Sequence, residues 1–265
     1  MALPLWDGWP ELLPRLARGT LLAAFDYDGT LVPIRPTPEE AIADGETRTA
    51  LARLAAAPGT AVAVVSGRPV TQLRDLVPAE ELWLVGLHGL EIAAPHGEVL
   101  PTIDLDAAAA ALGSLRSVAA EIAARHEGVR IEDKGASLVL HTRQASRHEA
   151  VTAAGELRRA AALIPGFEVM GGKEVVEVRP AGTSKGTAMR RLLREAGGET
   201  VLYAGDDTTD EDAFAALEEA ASGDALTVRV EGESEAGTRA RFTIASQAEV
   251  AELLRRLIEI RSGPA

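Results

Sequence analysis

Short apolar runs that end in small or acidic residues recur along the chain. They are Leu21–Phe25, Ala61–Val65, Leu82–Leu87 and Thr200–Ala204. Each run is apolar on both faces, as expected for parallel strands that are covered by helices on either side. Two other segments, Glu39–Ala57 and Thr187–Ala196, have the spacing of helices. Alternating strands and helices predict a doubly wound parallel sheet, an α/β fold that binds ligands at the carboxyl ends of its strands.

The middle of the chain follows another pattern, in which a helical segment and a hairpin occur twice. The segments are Asp106–Arg125, Val129–Glu132, Ser137–Thr142, Arg147–Leu163, Phe167–Met170 and Val175–Val178. This order predicts an inserted α+β domain of αββαββ type. We place this cap domain at residues 105–180, so that residues 1–104 and 181–265 form the Rossmann-like core.

Composition excludes several classes of function. The chain has 265 residues, an ordinary apolar fraction of 46% and no cysteine, which excludes disulfides, thiolate catalysis and cysteine-bound zinc. The net charge of -13 argues against non-specific binding to nucleic acid or to anionic membranes. The start of the sequence lacks the features of a signal peptide, and no apolar run is long enough to span a membrane. We therefore expect a cytoplasmic protein.

Lysine is rare in this chain. Of the 27 basic residues only Lys134, Lys173 and Lys185 are lysine, which leaves 24 arginines. A coding bias towards arginine replaces lysine wherever the two are interchangeable, and they are not interchangeable where a compact ammonium is required. The three lysines are therefore functional candidates.

A pair of carboxylates follows the first apolar run. Asp26 and Asp28 are two positions apart, so they are expected to project to the same side of a crevice. One carboxylate of such a pair can attack phosphorus while the other transfers the leaving-group proton. A calcium-binding loop in this register would need ligands at Ala24 and Arg35, which cannot serve.

A second acidic cluster follows the apolar run Thr200–Ala204 and contains Asp206, Asp207 and Asp210. An acidic loop by itself is usually a solvated turn or a helix cap. Two such clusters at the ends of neighbouring strands instead predict an oxygen-rich pocket suited to Mg²⁺. The metal would also offset the repulsion between these carboxylates.

Two further residues are suited to binding a phosphate. Lys185 lies where a helix should begin, and helix N-termini present free N–H groups to anions. Ser66 follows the run Ala61–Val65 and can donate a further hydrogen bond. The order and placement of these groups predict a phosphate site.

Together these motifs resemble the haloacid dehalogenase (HAD) superfamily of phosphatases, and in particular its trehalose-6-phosphate phosphatase family. The superfamily pattern consists of Asp26-x-Asp28-Gly29-Thr30-Leu31, Ser66, Lys185 and Gly205-Asp206-Asp207-x-Thr209-Asp210. The family resemblance adds Ser66-Gly67-Arg68, Gly86-Leu87-His88-Gly89 with Glu91, Glu132-Asp133-Lys134-Gly135, His141-x-Arg143 and Gly172-Lys173-x-Val175-x-Glu177-x-Arg179-Pro180.

This resemblance implies a role for each catalytic residue. Asp26 forms an aspartyl-phosphate, and Asp28 protonates the departing sugar oxygen and then activates water. Ser66 and Lys185 hold the phosphoryl oxygens. The implied Mg²⁺ ligands are the Asp26 carboxylate, the Asp28 backbone carbonyl and Asp206, with Asp207 or Asp210 in support.

The resemblance also implies a substrate-binding set and a cap that closes over the substrate. The set comprises Thr30, Gly67, Arg68, Glu132, Lys134, Arg143, Lys173 and Glu177. Glutamate and lysine on the two predicted hairpins would supply the acceptors and donors that sugar hydroxyls require. The expected partner is a small sugar phosphate bound by a monomer, with neither nucleic acid nor membrane involved.

Alternative functions share much of this pattern. A phosphatase for a sucrose-phosphate or mannosyl-glycerate-phosphate type of substrate would use the same core. A phosphomutase also forms an aspartyl-phosphate. A catalytically silent sugar-phosphate-binding module is disfavoured because Asp26 and Asp28 are both present. A nucleotide-binding P-loop is excluded, since Glu174 stands where serine or threonine is needed.

Overall fold

The protein is described by a computed structural model that covers residues 2–35, 37–77, 80–172, 174–220, 225–231 and 237–263. The chain divides into two compact units. Unit 1 comprises Met1–Leu100 and Ser184–Ala265, and unit 2 comprises Pro101–Thr183. This division is purely structural, and the assignment of a catalytic role to one unit and a specificity role to the other remains a prediction.

Strands and α-helices occur along the whole length of the described chain. The strands are β1 Leu3–Pro4, β2 Leu21–Asp26, β3 Thr60–Val65, β4 Trp83–Gly86, β5 Glu91–Ala93, β6 Val99–Pro101, β7 Arg130–Asp133, β8 Leu138–His141, β9 Phe167–Gly172, β10 Val175–Pro180, β11 Thr200–Gly205, β12 Leu226–Val230 and β13 Phe242–Ile244. The α-helices are α1 Leu5–Leu16, α2 Gly45–Ala55, α3 Val70–Leu76, α4 Leu105–Ala111, α5 Gly113–Arg125, α6 Arg147–Ala161, α7 Lys185–Ala196, α8 Thr208–Ala220 and α9 Ala248–Ser262.

The sheet of unit 1 has the order β1-β13-β12-β11-β2-β3-β4-β5-β6. In this spatial order every pairing between β1 and β4 is parallel. Strand β5 pairs with β4 in the antiparallel sense. The prediction of an α/β fold is therefore confirmed. Strand β2 lies between β11 and β3, with Ala204 opposite Phe25 and Val65 opposite Asp26. The loops that follow these three strands consequently emerge at the same edge of the sheet.

Both faces of the central strand β2 are covered. Leu21, Ala23 and Phe25 belong to one hydrophobic cluster, together with side chains of α2 and α9. The intervening Leu22 and Ala24 belong to a second cluster, which includes side chains of α7 and α8. Every residue of β2 is buried, which explains why its sequence lacks the polar–apolar alternation of a half-exposed strand.

Unit 2 contains an antiparallel sheet of order β7-β8-β10-β9. Its apolar side chains form a cluster with those of α5 and α6. The expected single helix over Asp106–Arg125 is wrong, because α4 and α5 meet at 53°. Leu112 at the junction is fully buried, and Gly113, a weak helix former, begins α5. The bend lets Leu112 pack into the core of the unit instead of extending a straight helix.

Within the described residues no single helix is long and apolar enough to cross a membrane. The bent pair α4 and α5 passes the same test of length and composition when taken together.

His126, at the end of α5, is expected to make the stability of the protein depend on pH. Its Nδ1 contacts Glu149, and its Nε2 lies 3.4 Å from Glu156 Oε1. The hydrogen bond to Glu149 raises the pKa of His126. Burial opposes this rise, and the hydrogen bond to Glu156 adds to it. Because the pKa of His126 is raised in the folded state, the charged histidine stabilises the protein fully at pH values below the unfolded pKa of about 6.5. This stabilisation is lost as the pH rises through the folded-state pKa.

His126→Gln should therefore lower the melting temperature more at about pH 6 than at about pH 9, on either side of the ordinary histidine pKa. Thermal unfolding followed by circular dichroism at both pH values measures this difference. His148→Gln, on the exposed surface of α6, is the matched control. A His126→Gln effect of equal size at both pH values would contradict the expectation.

Candidate functional site

Three local structures bring charged groups to the carboxyl edge of the unit 1 sheet. Strand β2 ends at Asp26 and β11 ends at Gly205. Helix α7 begins at Lys185, after Ser184 and Thr187 form a capping box in which each side chain bonds the other's backbone N–H. The predicted helix start is thus confirmed, and it places the lysine beside the ends of both strands.

The centre of this site is a buried lysine between two carboxylates. Lys185 Nζ donates hydrogen bonds to Asp26 Oδ1 at 2.5 Å and to Asp210 Oδ1 at 2.6 Å. All three residues are at most 4% exposed. Burial acts to lower the pKa of Lys185, but the charges of Asp210 and Asp26 outweigh it, so the pKa is raised and the ammonium stays charged.

Asp210 holds the acidic loop together. Besides Lys185, its Oδ1 accepts a hydrogen bond from Tyr203 Oη at 2.5 Å. Its Oδ2 accepts from the backbone N–H groups of Asp206 at 3.1 Å and Asp207 at 2.9 Å. Tyr203 was absent from the sequence-based candidates. The available signal was a tyrosine within the run Thr200–Ala204, two positions before Gly205.

Asp206 completes a cluster of three carboxylates. One carboxylate oxygen from each of Asp26, Asp206 and Asp210 lies within 4.8 Å of the others, so the group could hold a metal ion. Thr30 Oγ1 donates a hydrogen bond to Asp206 Oδ1 at 3.1 Å. Burial and the charge of Asp210 raise the pKa of Asp206 to about 6.

The same crowding acts on Asp26. Burial raises its pKa well above the ordinary value, Lys185 opposes that rise, and Asp210 and Asp206 add to it. One ammonium among three close carboxylates leaves an excess of negative charge. A bound cation would offset this excess and favour the ionised carboxylates. The donor set is all oxygen, which suits a hard divalent cation.

Two other predicted metal-site residues have different partners. The Asp28 carboxylate accepts two hydrogen bonds from Arg68, at 2.7 Å from Nε and 2.6 Å from Nη2. The Arg68 guanidinium in turn lies 5.3 Å from the centre of the Tyr27 ring. The Asp207 carboxylate accepts hydrogen bonds from the backbone N–H and the hydroxyl of Thr208. Neither carboxylate belongs to the three-carboxylate cluster.

The loop after β3 carries Ser66 and Gly67. Ser66 is buried, and its Oγ accepts the backbone N–H of Arg68 at 3.1 Å. A Cβ atom on Gly67 would lie 2.5 Å from Nε2 of His88. Only glycine therefore fits at position 67 without displacing the histidine ring.

In unit 2 the predicted sugar-binding residues lie on or beside the hairpins. Glu132 and Glu177 both oppose Val139, from β7 and β10, so they share one face of the sheet. Glu132 Oε2 lies 2.9 Å from His141 Nε2, and Glu177 Oε1 accepts the Ser137 hydroxyl at 2.9 Å.

The remaining predicted sugar-binding residues are more dispersed. Lys134 lies in the β7–β8 turn, where its backbone N–H donates to Ser137 O at 3.0 Å. Arg143 follows β8, is exposed and pairs with Glu174 at 2.8 Å. Lys173 lies outside the described residues.

Gly29→Ala is expected to displace Asp206. Gly29 has a φ of +93°, and an added Cβ would lie 2.2 Å from Asp206 Oδ2. Affinity for a divalent cation should fall by about 10- to 100-fold, as when other groups that orient metal ligands are lost. Isothermal titration measures this affinity. Gly45→Ala, where an added Cβ meets nothing within 4 Å, is the control, and unchanged binding by Gly29→Ala would contradict the proposed geometry.

The fold is similar to that of BT1666 from Bacteroides thetaiotaomicron, a phosphatase of the haloalkanoate (HAD) enzyme superfamily, which superposes with a TM-score of 0.60 at 17% identity, covering 90% of this chain and 95% of that one. A family model described as trehalose-phosphatase matches residues 24–248. The chain belongs to the trehalose-phosphatase family.

Individual relatives agree with this assignment. The chain is 39% identical over 89% of its length to a bifunctional trehalose-6-phosphate synthase/phosphatase of Thermoproteus tenax, and 36% identical over 88% to a trehalose-phosphate phosphatase of Mycobacterium marinum. It spans 32% of the first relative's length and 60% of the second's. The C-terminal domain of Candida albicans trehalose-6-phosphate phosphatase superposes with a TM-score of 0.86 at 26% identity, covering 97% of this chain and 99% of that one.

Proposed function

We propose that this protein hydrolyses trehalose 6-phosphate to trehalose and inorganic phosphate, with Mg²⁺ as its metal ion. One observation carries the proposal. In a member of this family, Asp26, Lys185 and two further carboxylates meet in a buried cluster at the end of the central strand. A buried carboxylate beside a fixed cation is suited to attack a phosphoryl group, because the cation draws in the charged substrate and offsets the developing negative charge.

We infer that the reaction has two chemical steps. In the first, an Asp26 oxygen forms a bond to phosphorus while the bond from phosphorus to the sugar oxygen breaks. Asp28, protonated once Arg68 has turned from its carboxylate to the substrate, gives its proton to that oxygen. In the second, Asp28 takes a proton from water, whose oxygen attacks phosphorus and releases Asp26 and phosphate. Lys185 and Ser66 hold the phosphoryl oxygens during both steps.

The residues present fit a magnesium ion. Asp26, Asp206 and the backbone carbonyl of Asp28 would hold it, with Asp207 or Asp210 in support. The two oxygens of Asp210 already accept hydrogen bonds from Lys185, Tyr203 and the acidic-loop backbone. These bonds favour Asp210 as the residue that orients the loop. When bound, the ion would supply charge stabilisation at the phosphoryl oxygens.

The sugar is the part of the substrate that the core residues do not distinguish. We assign its recognition to the polar sheet face of unit 2, with Glu132, Lys134 and Glu177 as its central residues. Arg143 and Lys173 are further proposed members of the sugar site. Thr30, Gly67 and Arg68 belong to the substrate site of unit 1. Glutamates on β7 and β10, the two strands that flank β8, can accept hydrogen bonds from several hydroxyls of one disaccharide, which gives selectivity over smaller phosphate esters.

A phosphate-release assay tests the proposal. Purified protein is compared on trehalose 6-phosphate, sucrose 6-phosphate, mannosyl-glycerate phosphate, glucose 6-phosphate and p-nitrophenyl phosphate, each with Mg²⁺ and with a chelator. We expect the highest kcat/KM on trehalose 6-phosphate and loss of activity in the chelator. A higher kcat/KM on another sugar phosphate would reassign the substrate, and no release from any of them would indicate a binding module.

Glu177→Ala should separate sugar recognition from chemistry. The Glu177 side chain is buried and fixed by Ser137, so its removal should take away one well-oriented charged acceptor. We expect kcat/KM for trehalose 6-phosphate to fall roughly 10- to 100-fold, the effect of one charged hydrogen bond, with little change on p-nitrophenyl phosphate. Glu121→Ala, exposed on α5, is the control. Equal losses on both substrates would remove Glu177 from the sugar site.

A further inference from the structure

A single arginine of unit 2 joins the β7–β8 turn to two helices. Arg116, on α5, donates from Nε to Asp133 Oδ2 at 2.7 Å and from Nη2 to the backbone oxygen of Gly135. Its Nη1 donates to Ala109 O, on α4, at 2.5 Å. The guanidinium thus binds Asp133 and Gly135, the residues immediately before and after Lys134.

The turn has its own internal hydrogen bonds. Asp133 Oδ1 accepts the N–H of Gly135 at 2.9 Å, and the N–H of Ala136 donates to Lys134 O at 3.1 Å. Gly135 has a φ of +78°, a conformation that glycine adopts without strain. The hydrogen bond from Arg116 lowers the pKa of Asp133, so the carboxylate that closes the turn is held in its charged form.

We propose that Arg116 is a positioning residue for substrate specificity, because it fixes the turn that presents Lys134 and the neighbouring Glu132 to the sugar. The inference rests on the proposed function. A hairpin turn by itself moves readily, and small displacements of a binding group cost affinity even when the group is present. The planar guanidinium provides donors in fixed directions, so it can hold a carboxylate and two backbone oxygens at once, which a lysine cannot do.

A positioning role for Arg116 differs from a general structural role in its effect on the two kinds of substrate. Its loss should weaken binding of a substrate with a sugar and leave a substrate without one unaffected. We expect Arg116→Met to raise KM for trehalose 6-phosphate roughly 10- to 100-fold, comparable to losing one charged hydrogen bond. The kcat and the kinetics on p-nitrophenyl phosphate should change little. Arg116→Lys should restore KM in part, since one ammonium can reach some of the acceptors.

Steady-state kinetics on both substrates and hydrogen exchange of the backbone amides test this. Exchange at Gly135 and Ala136 should become faster in Arg116→Met while the amides of β8 and β10 keep their protection. Arg125→Met is the matched control, since Arg125 lies on the same helix and pairs with Glu156. We expect it to alter neither KM nor exchange in the turn.

Two results would overturn the inference. One is an unchanged KM for trehalose 6-phosphate in Arg116→Met, and the other is a parallel loss on both substrates, which would mean a general effect on the fold. Failure of the proposed function is distinct, because wild-type protein would then release no phosphate from trehalose 6-phosphate before any variant is compared.

Discussion

Asp26→Asn should lower turnover by roughly 10⁴-fold or more, the scale observed when an enzyme loses its nucleophile. The amide keeps the size of the carboxylate but lacks the anionic oxygen that must bond to phosphorus. Because Asp26 is 4% exposed and hydrogen-bonded to Lys185, the effect should arise from lost chemistry and not from exposure of a new surface. Phosphate release under saturating substrate and Mg²⁺ measures it.

The fold of this variant needs its own measurement. Removal of one of three crowded carboxylates relieves repulsion but leaves Lys185 with fewer partners, so the net effect on stability should be small. Circular dichroism and thermal unfolding provide the check. Residual turnover near the wild-type value in a folded Asp26→Asn protein would remove Asp26 from the nucleophile position.

Lys185→Met should produce the largest loss of stability. It leaves Asp26 and Asp210 buried without the ammonium that lies 2.5 Å and 2.6 Å from them. Breaking a buried ion pair by removal of one partner costs about 3–5 kcal/mol, because the remaining charge is uncompensated. Urea unfolding in the presence of a chelator measures this loss. Turnover should also fall by roughly 10²- to 10³-fold, as expected when a group that stabilises transition-state charge is removed.

Two companion variants identify the cause. Arg194 lies on the exposed side of the same helix, so Arg194→Met should change stability little. The double variant Lys185→Met with Asp26→Asn removes one carboxylate as well, so it should be more stable than Lys185→Met by itself. If the double variant is the less stable of the two, loss of charge balance is not the reason for the destabilisation.

Much of the fold was predictable because burial imposes a clear pattern on the sequence. Strand β2 is buried on both faces, and an apolar run such as Leu21–Phe25 is the direct consequence. The junction at Leu112 was not predictable, because the helical spacing continues through it. The choice between one helix and two depends on how Leu112 packs against the unit 2 sheet, and that is tertiary information.

The sequence indicated that Asp26, Asp206, Asp210 and Lys185 would lie close together, but it did not indicate the hydrogen-bond partners of the surrounding residues. The scarcity of lysine pointed to Lys185, which lies at the buried centre. The pairing of Asp28 with Arg68 joins residues 40 positions apart, and no local rule indicates it. Likewise, sequence spacing does not indicate that Asp210 accepts the hydrogen bonds of Tyr203 and of the loop backbone.

The central claim is that Asp26 carries the phosphoryl group between the two chemical steps, and trapping that group tests it most directly. Asp28→Asn, which lacks the base for the second step, is mixed with Mg²⁺ and p-nitrophenyl phosphate, whose leaving group departs without a proton from Asp28, and is then quenched in acid and digested for mass spectrometry. The account predicts the added mass of one phosphoryl group on the peptide that contains Asp26, and none in Asp26→Asn. A phosphoryl group on any other residue would contradict the account.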